Sequence, residues 1–222
     1  GGLIAAPVAL TQVTLGPGER ADLIVDFAPH PAGREIVLTN SAPAPYPGTP
    51  GEGVIPNVMK FIVVGQAGHT GAVPATLRPL TMLNESDAVL SRDLVLRKAA
   101  DPCAGSMWLI NELGFDTISE YPVLGTTEIW RFINRSGVSH PMHMHLVMFQ
   151  VLDRQDFDMI GGQIVPVGVP LPPAPNEVGW KDTVMVHPNQ ITRVIVHFDD
   201  YLGLYPYHCH ILEHEDHEMM RQ

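Results

Sequence analysis

Short segments rich in β-branched residues, separated by turn residues, run along most of this chain and constrain its fold more than any other feature. They lie at residues 8–15, 21–27, 35–39, 58–64, 93–97, 107–111, 127–134, 146–153, 182–187, 191–198 and 205–209. Runs of this length and composition predict strands, and many short strands with Gly and Pro turns are typical of a β-sandwich. Only residues 210–220 could form a short helix. We therefore predict an all-β fold.

Pro- and Gly-rich stretches divide this series of strands. Residues 41–56 and 161–179 predict long surface loops, because proline cannot donate to a central β-ladder. Residues 67–90 carry turn residues with little periodicity and predict a linker. Residues 1–66 hold about half the strands of a sandwich, whereas residues 91–222 hold enough for a complete one. We therefore predict that 1–66 is the C-terminal part of one domain and that 91–222 is a second, complete domain.

Composition excludes several classes of partner. The chain has a formal net charge of −11, which argues against binding to nucleic acid or to an anionic membrane surface. No apolar run approaches the roughly 18 residues of a membrane span. Residues 1–6 lack the basic region and cleavage site of a signal peptide. Of the two cysteines, Cys103 is either a free thiol or a partner for a cysteine elsewhere.

The densest group of metal donors lies near the end of the sequence. His208, Cys209 and His210 are consecutive, and His214 and Met219 follow at steps of five residues. A thiolate, two imidazoles and a weak axial thioether are the donors of a blue-copper centre. Zinc is the main rival because cysteine and histidine also bind it, but the thioether favours copper. His208 and His210, which flank the cysteine, are not needed for this centre and must have a different role.

Residues 140–145 contain three further histidines, and the alternation of strand side chains sorts all the donors. Successive side chains point to opposite faces of a strand, so His208 and His210 share a face while Cys209 points away. His143 and His145 likewise share a face, and His140 lies an odd step from them. The two resulting sets are His140, Cys209, His214 and Met219, and His143, His145, His208 and His210. The first set is complete for blue copper, and the second, four imidazoles without a carboxylate, also suits copper.

Residues 140–145 (HPMHMH) and 207–220 (YHCHILEHEDHEMM) resemble the C-terminal signature of multicopper oxidases. Residues 2–4 (GLI), 17–22 (PGERAD), 125–130 (GTTEIW) and 179–183 (GWKDT) are similar to the bacterial branch that contains spore-coat laccase, phenoxazinone synthase and bilirubin oxidase. The resemblance runs over nearly the whole chain. It implies a cupredoxin-like Greek-key β-sandwich, one complete domain preceded by part of another.

The resemblance also implies roles for individual residues. His140, Cys209, His214 and Met219 would be the type 1 copper ligands, His143 would serve the type 2 copper, and His145, His208 and His210 would serve the type 3 pair. Phenolic or aminophenolic donors would give single electrons at type 1 copper through the edge of His214. The electrons would pass along Cys209 to a trinuclear cluster that reduces dioxygen to water. Glu215 would deliver protons there, although the same carboxylate could equally be a solvated side chain.

One departure from the family pattern limits this interpretation. The family draws further cluster ligands from two His-x-His motifs in an N-terminal domain, and no such motif precedes His140 here. We therefore expect the chain to be the C-terminal part of a three-domain enzyme, with the missing N-terminal domains as its partner and no oxygen reduction by the chain alone. The alternatives are a single-copper electron-transfer domain, a metal-oxidising multicopper oxidase and a metal-free binding domain. The family resemblance leaves extracellular, periplasmic and spore-coat locations open.

Overall fold

A computed structural model describes residues 4–48, 54–103 and 105–222. It divides the chain into two compact units, one made of the described parts of Gly1–Arg20 and Ala75–Gln222 and the other of Ala21–Pro74. Gly2 and Leu3, from the motif at 2–4, lie outside the described residues, as do residues 49–53 of the predicted loop at 41–56.

The smaller unit is built around one antiparallel pair of strands, β1 (Glu35–Thr39) and β2 (Asn57–Ile62). Phe27 packs on Phe61 with ring centroids 5.2 Å apart. The strands predicted at 8–15 and 21–27 are wrong. A strand exists through a hydrogen-bonded ladder with a neighbour, and none of the described strands pairs with either segment.

The larger unit contains the remaining regular structure. Its strands are β3 (Ala88–Asp101), β4 (Gly105–Ile110), β5 (Thr126–Asn134), β6 (His140–Met144), β7 (Phe149–Ile160), β8 (Gln163–Pro166), β9 (Trp180–Lys181), β10 (Thr183–Val186), β11 (Gln190–Phe198), β12 (Tyr207–Cys209) and β13 (Met220–Arg221). A four-residue helix, α1 (Leu212–Glu215), follows β12, and single 3-10 turns cover Glu85–Asp87 and Pro175–Glu177. Within the described ranges, every helix is too short to cross a membrane.

These strands form two sheets that share one apolar core. The larger sheet has the order β4-β3-β5-β11-β7-β8, with β9 also on β7, and the smaller has the order β10-β6-β12-β13. Only the β3–β5 pair is parallel among the described strands. Leu94, Phe132 and Val194 from the larger sheet are fully buried together with Met142 and Val184 from the smaller. Two sheets that bury their inner faces against each other form a sandwich, so the all-β prediction is confirmed.

The details differ from the sequence predictions in two places. Strand β8 lies inside the segment 161–179 that was predicted to be a loop, because Gln163–Pro166 extends a hairpin with the end of β7. The compact units also divide the chain differently from the boundaries predicted after residues 66 and 90. The compact units reflect contacts within this chain, whereas the predicted boundaries concern the domains of a whole protein. The predicted boundaries therefore stay a prediction.

Candidate metal centre

Three buried donors converge at one end of the smaller sheet, and we call them the thiol site: Cys209, His140 and His214. The Cys209 Sγ atom lies 3.5 Å from the Nδ1 atoms of both histidines, and these two Nδ1 atoms are 3.1 Å apart. Cys209 and His140 are fully buried, and His214 is 9% exposed. The thiol site is therefore a closed cluster with its donor atoms facing inward.

Local structure places these donors. Cys209 ends β12, His140 begins the adjacent β6, and α1 brings His214 back over the strand. The backbone of Met219 closes this turn, because its carbonyl accepts from Cys209 N at 3.0 Å and its amide donates to the His214 carbonyl at 3.0 Å. The Met219 side chain is fully buried beside them in the core. His140 Nε2 contacts Ser136 Oγ at 2.7 Å, which leaves Nδ1 directed at the thiol site.

Burial keeps all three donors of the thiol site uncharged near neutral pH when no metal is bound. Burial, with a smaller effect from the neighbouring His214, lowers the pKa of His140 to about 3. Burial lowers the pKa of His214 to about 4 and raises the pKa of the Cys209 thiol to about 12. Two neutral imidazoles with facing Nδ1 atoms hold lone pairs toward each other unless a proton or a cation lies between them. A thiol, two imidazoles and an adjacent methionine in a dry cluster fit copper.

A second cluster, which we call the histidine site, consists of His143, His145 and His208. Their ligand atoms all lie within 4.8 Å of one another, and the Nε2 atoms of His145 and His208 are 3.1 Å apart. His210 is exposed and lies beyond this group, with its ring centroid 5.6 Å from that of His208 and 5.8 Å from that of His143. The structure thus gathers three of the four predicted histidines and places the fourth beside them.

The alternation of the strands separates the two clusters. Cys209 pairs with Met142 in the β12–β6 ladder, and both side chains are fully buried. His208 pairs with His143, one position along the same ladder. The peptide bond between His208 and Cys209 therefore joins the thiol site to the histidine site directly.

Polar groups from distant parts of the sequence orient His143. Its Nδ1 atom lies 2.8 Å from the Asp182 carbonyl oxygen and 3.1 Å from Thr183 Oγ1. Both Asp182 carboxylate oxygens accept from the Arg20 guanidinium, at 2.6 and 2.7 Å. Burial opposes ionisation of Asp182, but the hydrogen bonds from Arg20 and Thr183 hold its pKa at about 2. The sequence analysis gave no role to Arg20 or Asp182, although both lie in the motifs at 17–22 and 179–183.

Glu215 lies against the other side of the histidine site. Its Oε2 atom is 3.2 Å from His208 Nδ1, and the carboxylate is half-buried. His208 Nδ1 is also 3.0 Å from the Cys209 carbonyl oxygen. The Nε2 atom of His208 is thereby directed toward His145, and Glu215 is the carboxylate in contact with the other ring nitrogen.

Gly18 offers a direct test of the packing around His210. Its φ is +80°, and a Cβ atom there would lie 2.5 Å from Cδ2 of His210. Gly18→Ala is expected to destabilise the chain by about 1 kcal/mol more than Gly125→Ala, which has the same φ and open space around it. Urea denaturation measures the difference. In NMR spectra the ring signals of His210 should move only in Gly18→Ala, and equal effects of both variants would contradict the contact.

Comparison with known proteins gives a consistent set of similarities. Residues 100–222 match the family model described as multicopper oxidase. The chain is 37% identical over its whole length to a laccase from Bacillus subtilis and 32% identical over 98% of its length to multicopper oxidase LPR1 from Arabidopsis thaliana. Among solved structures, it is similar to a multi-copper oxidase from Pediococcus acidilactici, with a TM-score of 0.65 and 29% identity over 89% of the chain. The McoA multicopper oxidase of Aquifex aeolicus gives a TM-score of 0.63 and 27% identity over 88% of the chain.

The similarity covers only part of each relative. The chain spans 44% of the Bacillus subtilis laccase and 43% of the Arabidopsis thaliana protein. It spans 36% of the Pediococcus acidilactici structure and 41% of the Aquifex aeolicus structure. The match to these structures confirms the cupredoxin-like sandwich that the resemblance implied.

Proposed function

The chain belongs to the multicopper oxidase family, and from this premise we propose that it carries the electron-accepting copper site and part of the oxygen-reducing cluster of a laccase-like oxidase. The observation that carries the proposal is the convergence of a buried thiol and two buried imidazoles in the thiol site. Phenolic or aminophenolic compounds would be the electron donors, and dioxygen would be the acceptor. Because the chain spans less than half of its curated relatives, these substrates are proposed for a longer protein.

We assign the type 1 ligands to His140, Cys209, His214 and Met219. Copper supplies one-electron redox chemistry at such a site, and thiolate ligation gives its cupric form an intense visible absorption. Burial of Cys209 and His140 excludes water from the ligands. The contact with Ser136 fixes the ring of His140, α1 carries His214, and the Met219 amide donates to the His214 carbonyl. These constraints would keep the ligand atoms in place while the charge of the bound copper changes.

The residues between the two clusters provide a path for electrons. The backbone of Cys209 leads on one side to His208 and on the other to His210. A covalent path of this length couples the two sites electronically more strongly than two side chains separated by a gap would. The direct bond from Cys209 to His208 supports electron transfer from the thiol site to the histidine site.

The histidine site would hold part of a copper cluster. We assign His143 to type 2 copper and His145, His208 and His210 to the type 3 pair, with the remaining ligands in N-terminal domains of the longer protein. Asp182 orients His143, and Glu215 is placed to move a proton at His208 Nδ1. A single-copper electron carrier has no use for this second cluster, so the cluster favours the oxidase.

Copper loading with an oxygen-uptake measurement tests the proposal. We expect the chain, reconstituted with Cu(II) and dialysed, to retain a single tightly bound copper with a strong visible band and to consume no dioxygen with a phenolic donor. The longer protein should bind additional copper and consume dioxygen with the same donor. A colourless copper complex of the chain would contradict the thiol site as type 1 copper. Three or more coppers with oxygen uptake by the chain alone would contradict the shared cluster.

A further inference from the structure

Trp108 packs against both histidines of the thiol site. Its ring centroid is 3.9 Å from that of His214 at an interplanar angle of 34°, and 5.2 Å from that of His140 at 71°. The Trp108 amide donates to the His217 carbonyl at 2.8 Å, which ties β4 to the turn after α1. Trp108 is thus held against both histidines of the thiol site by its ring and by its backbone.

This arrangement decides what an external molecule can touch. Cys209 and His140 are fully buried, and only 9% of His214 is exposed. Trp108 is half-buried, so its indole reaches further toward the surface than either histidine ring. A flat donor that approaches His214 therefore contacts the indole as well as the small exposed part of that histidine. Stacked or tilted aromatic contacts also stabilise such an encounter.

A cation lies beside the same indole. Lys98 is directly opposite Trp108 in the β3–β4 ladder, and its Nζ atom lies over the indole, 5.1 Å from the ring centroid. Lys98 is exposed and has no carboxylate within 4.0 Å among the described residues. The other charged or titratable groups near His214 are Glu213 and His217, together with His140 and Cys209 of the thiol site. Lys98 is the one fixed positive charge in this set, and it sits at the aromatic contact.

We propose that Trp108 and Lys98 form the docking point for the electron donor, and that Lys98 favours aromatic donors bearing a carboxylate or sulfonate. The proposal rests on the assignment of the thiol site as type 1 copper. The donor's ring contacts the indole, and its anionic group lies near the ammonium. The negative charge of Glu213 opposes this preference for anionic donors. The effects of removing Glu213 and of removing Lys98 can therefore be compared in the same protein.

The proposed electron transfer makes and breaks no covalent bond of the protein. One electron leaves the aromatic donor, and a phenolic donor also releases its hydroxyl proton to solvent. A cupric ion held by the thiol site would accept this electron. The ammonium beside the indole makes removal of an electron from Trp108 itself less favourable. Trp108 therefore acts as the contact between donor and His214 and is not consumed.

Anaerobic reduction of the copper-loaded chain tests both residues. The donors are 2-methoxyphenol, which is neutral, and 4-hydroxy-3-methoxybenzoate, which adds a carboxylate, and the signal is loss of the visible band. Trp108→Leu should slow reduction by both donors about tenfold, and Trp108→Phe should restore most of the rate. Lys98→Gln should slow only the carboxylate donor, about twofold to fivefold, and Lys98→Arg should restore it. Glu213→Gln should accelerate the carboxylate donor, and Lys60→Gln, which removes the same charge at an exposed pair with Glu35, should change neither rate.

The reduction potential separates docking from a merely structural role. Potentials of the wild type and of Trp108→Leu are measured by redox titration of the same band. A rate loss that the change in potential fully explains overturns Trp108 as the contact. An equal effect of Lys98→Gln on both donors, or no effect on either, overturns the charge preference. If Trp108→Leu fails to fold, the variants of the exposed Lys98 decide the result.

A metal-free measurement distinguishes failure of this inference from failure of the copper assignment. Benzenesulfonate, which donates no electron, is titrated into the metal-free chain while the indole N–H signal of Trp108 is followed by NMR. We expect a saturable shift in the wild type that Lys98→Gln weakens and that phenyltrimethylammonium does not produce. No shift, or equal shifts with both compounds, overturns the docking point whether or not the copper-loaded chain is coloured. If the copper complex is colourless but benzenesulfonate still selectively shifts the indole signal, the copper assignment is wrong and the anion-selective docking point is supported.

Discussion

Replacing Cys209 with serine is expected to abolish the visible band of the copper-loaded chain and to weaken copper binding by more than about 100-fold. The thiolate is the donor that produces charge-transfer absorption, and a serine hydroxyl is a poor ligand for copper. Cys209 lies 3.5 Å from both histidine donors, and no other cysteine of the chain is in the thiol site. Absorption spectra and equilibrium dialysis of the reconstituted chain measure the two effects.

Cys103 provides the matched control for this substitution. It is the other cysteine of the chain and is exposed, so Cys103→Ser removes a thiol without touching the thiol site. The Cys103→Ser variant should keep the band and the copper affinity of the wild type. Far-UV circular dichroism checks that Cys209→Ser retains the sheets, because a buried hydroxyl costs about 1–3 kcal/mol when it lacks a partner. If colour persists in folded Cys209→Ser, or disappears in Cys103→Ser, the assignment of the thiolate is wrong.

The sequence predicted the central strands well because their signal is local. Strands β5 (Thr126–Asn134) and β11 (Gln190–Phe198) each lie within one residue of the predicted segment, since β-branched residues with flanking turns determine both. The segments at 8–15 and 21–27 carry the same composition and yet form no strand. Pairing with a neighbour decides that outcome, and a neighbour is not a local property of the sequence.

The candidate site shows the same division between local and distant information. Spacing along single strands was enough to separate Cys209 from His208 and His140 from His143. The groups that hold these side chains in position come from elsewhere. Trp108 reaches the thiol site from β4, and Arg20 reaches Asp182 across 162 residues of sequence. No periodicity in the sequence indicates such contacts, because they depend on how the sheets pack.

Strand geometry also explains the position of His210. Alternation predicted that His208 and His210 share a face over an extended segment at 205–210. Strand β12 ends at Cys209, but the His210 amide still donates to the Pro141 carbonyl of β6 at 2.7 Å, so the backbone of His210 is held against that strand. The His210 ring remains 5.6 Å from that of His208 but stays exposed and outside the histidine site. Its neighbour Gly18, which has no side chain, leaves room for this ring.

Acidification is expected to destabilise the metal-free chain between pH 7 and pH 5. Burial holds the pKa of His140 at about 3 and that of His214 at about 4, whereas both titrate near 6.5 in an unfolded chain. Below pH 6.5 the unfolded state therefore binds protons that the folded state excludes, and stability falls as pH decreases toward the folded pKa values. At pH 5 the loss is roughly 2 kcal/mol for each of these histidines. Burial also lowers the pKa of His143, His145 and His187, which adds to the loss in the same direction.

Urea denaturation of the metal-free chain at several pH values measures this effect, and two variants locate it. His140→Leu removes one of the excluded protons, so the free energy of unfolding should fall by roughly 2 kcal/mol less than in the wild type between pH 7 and pH 5. His30→Gln is the control because His30 is exposed and lies outside both clusters. It should follow the wild-type pH profile. Identical profiles for His140→Leu and the wild type would show that His140 is not the buried neutral base that the thiol site requires. An imidazole that gains its proton freely in the folded chain could not hold its Nδ1 lone pair toward a metal at mildly acidic pH.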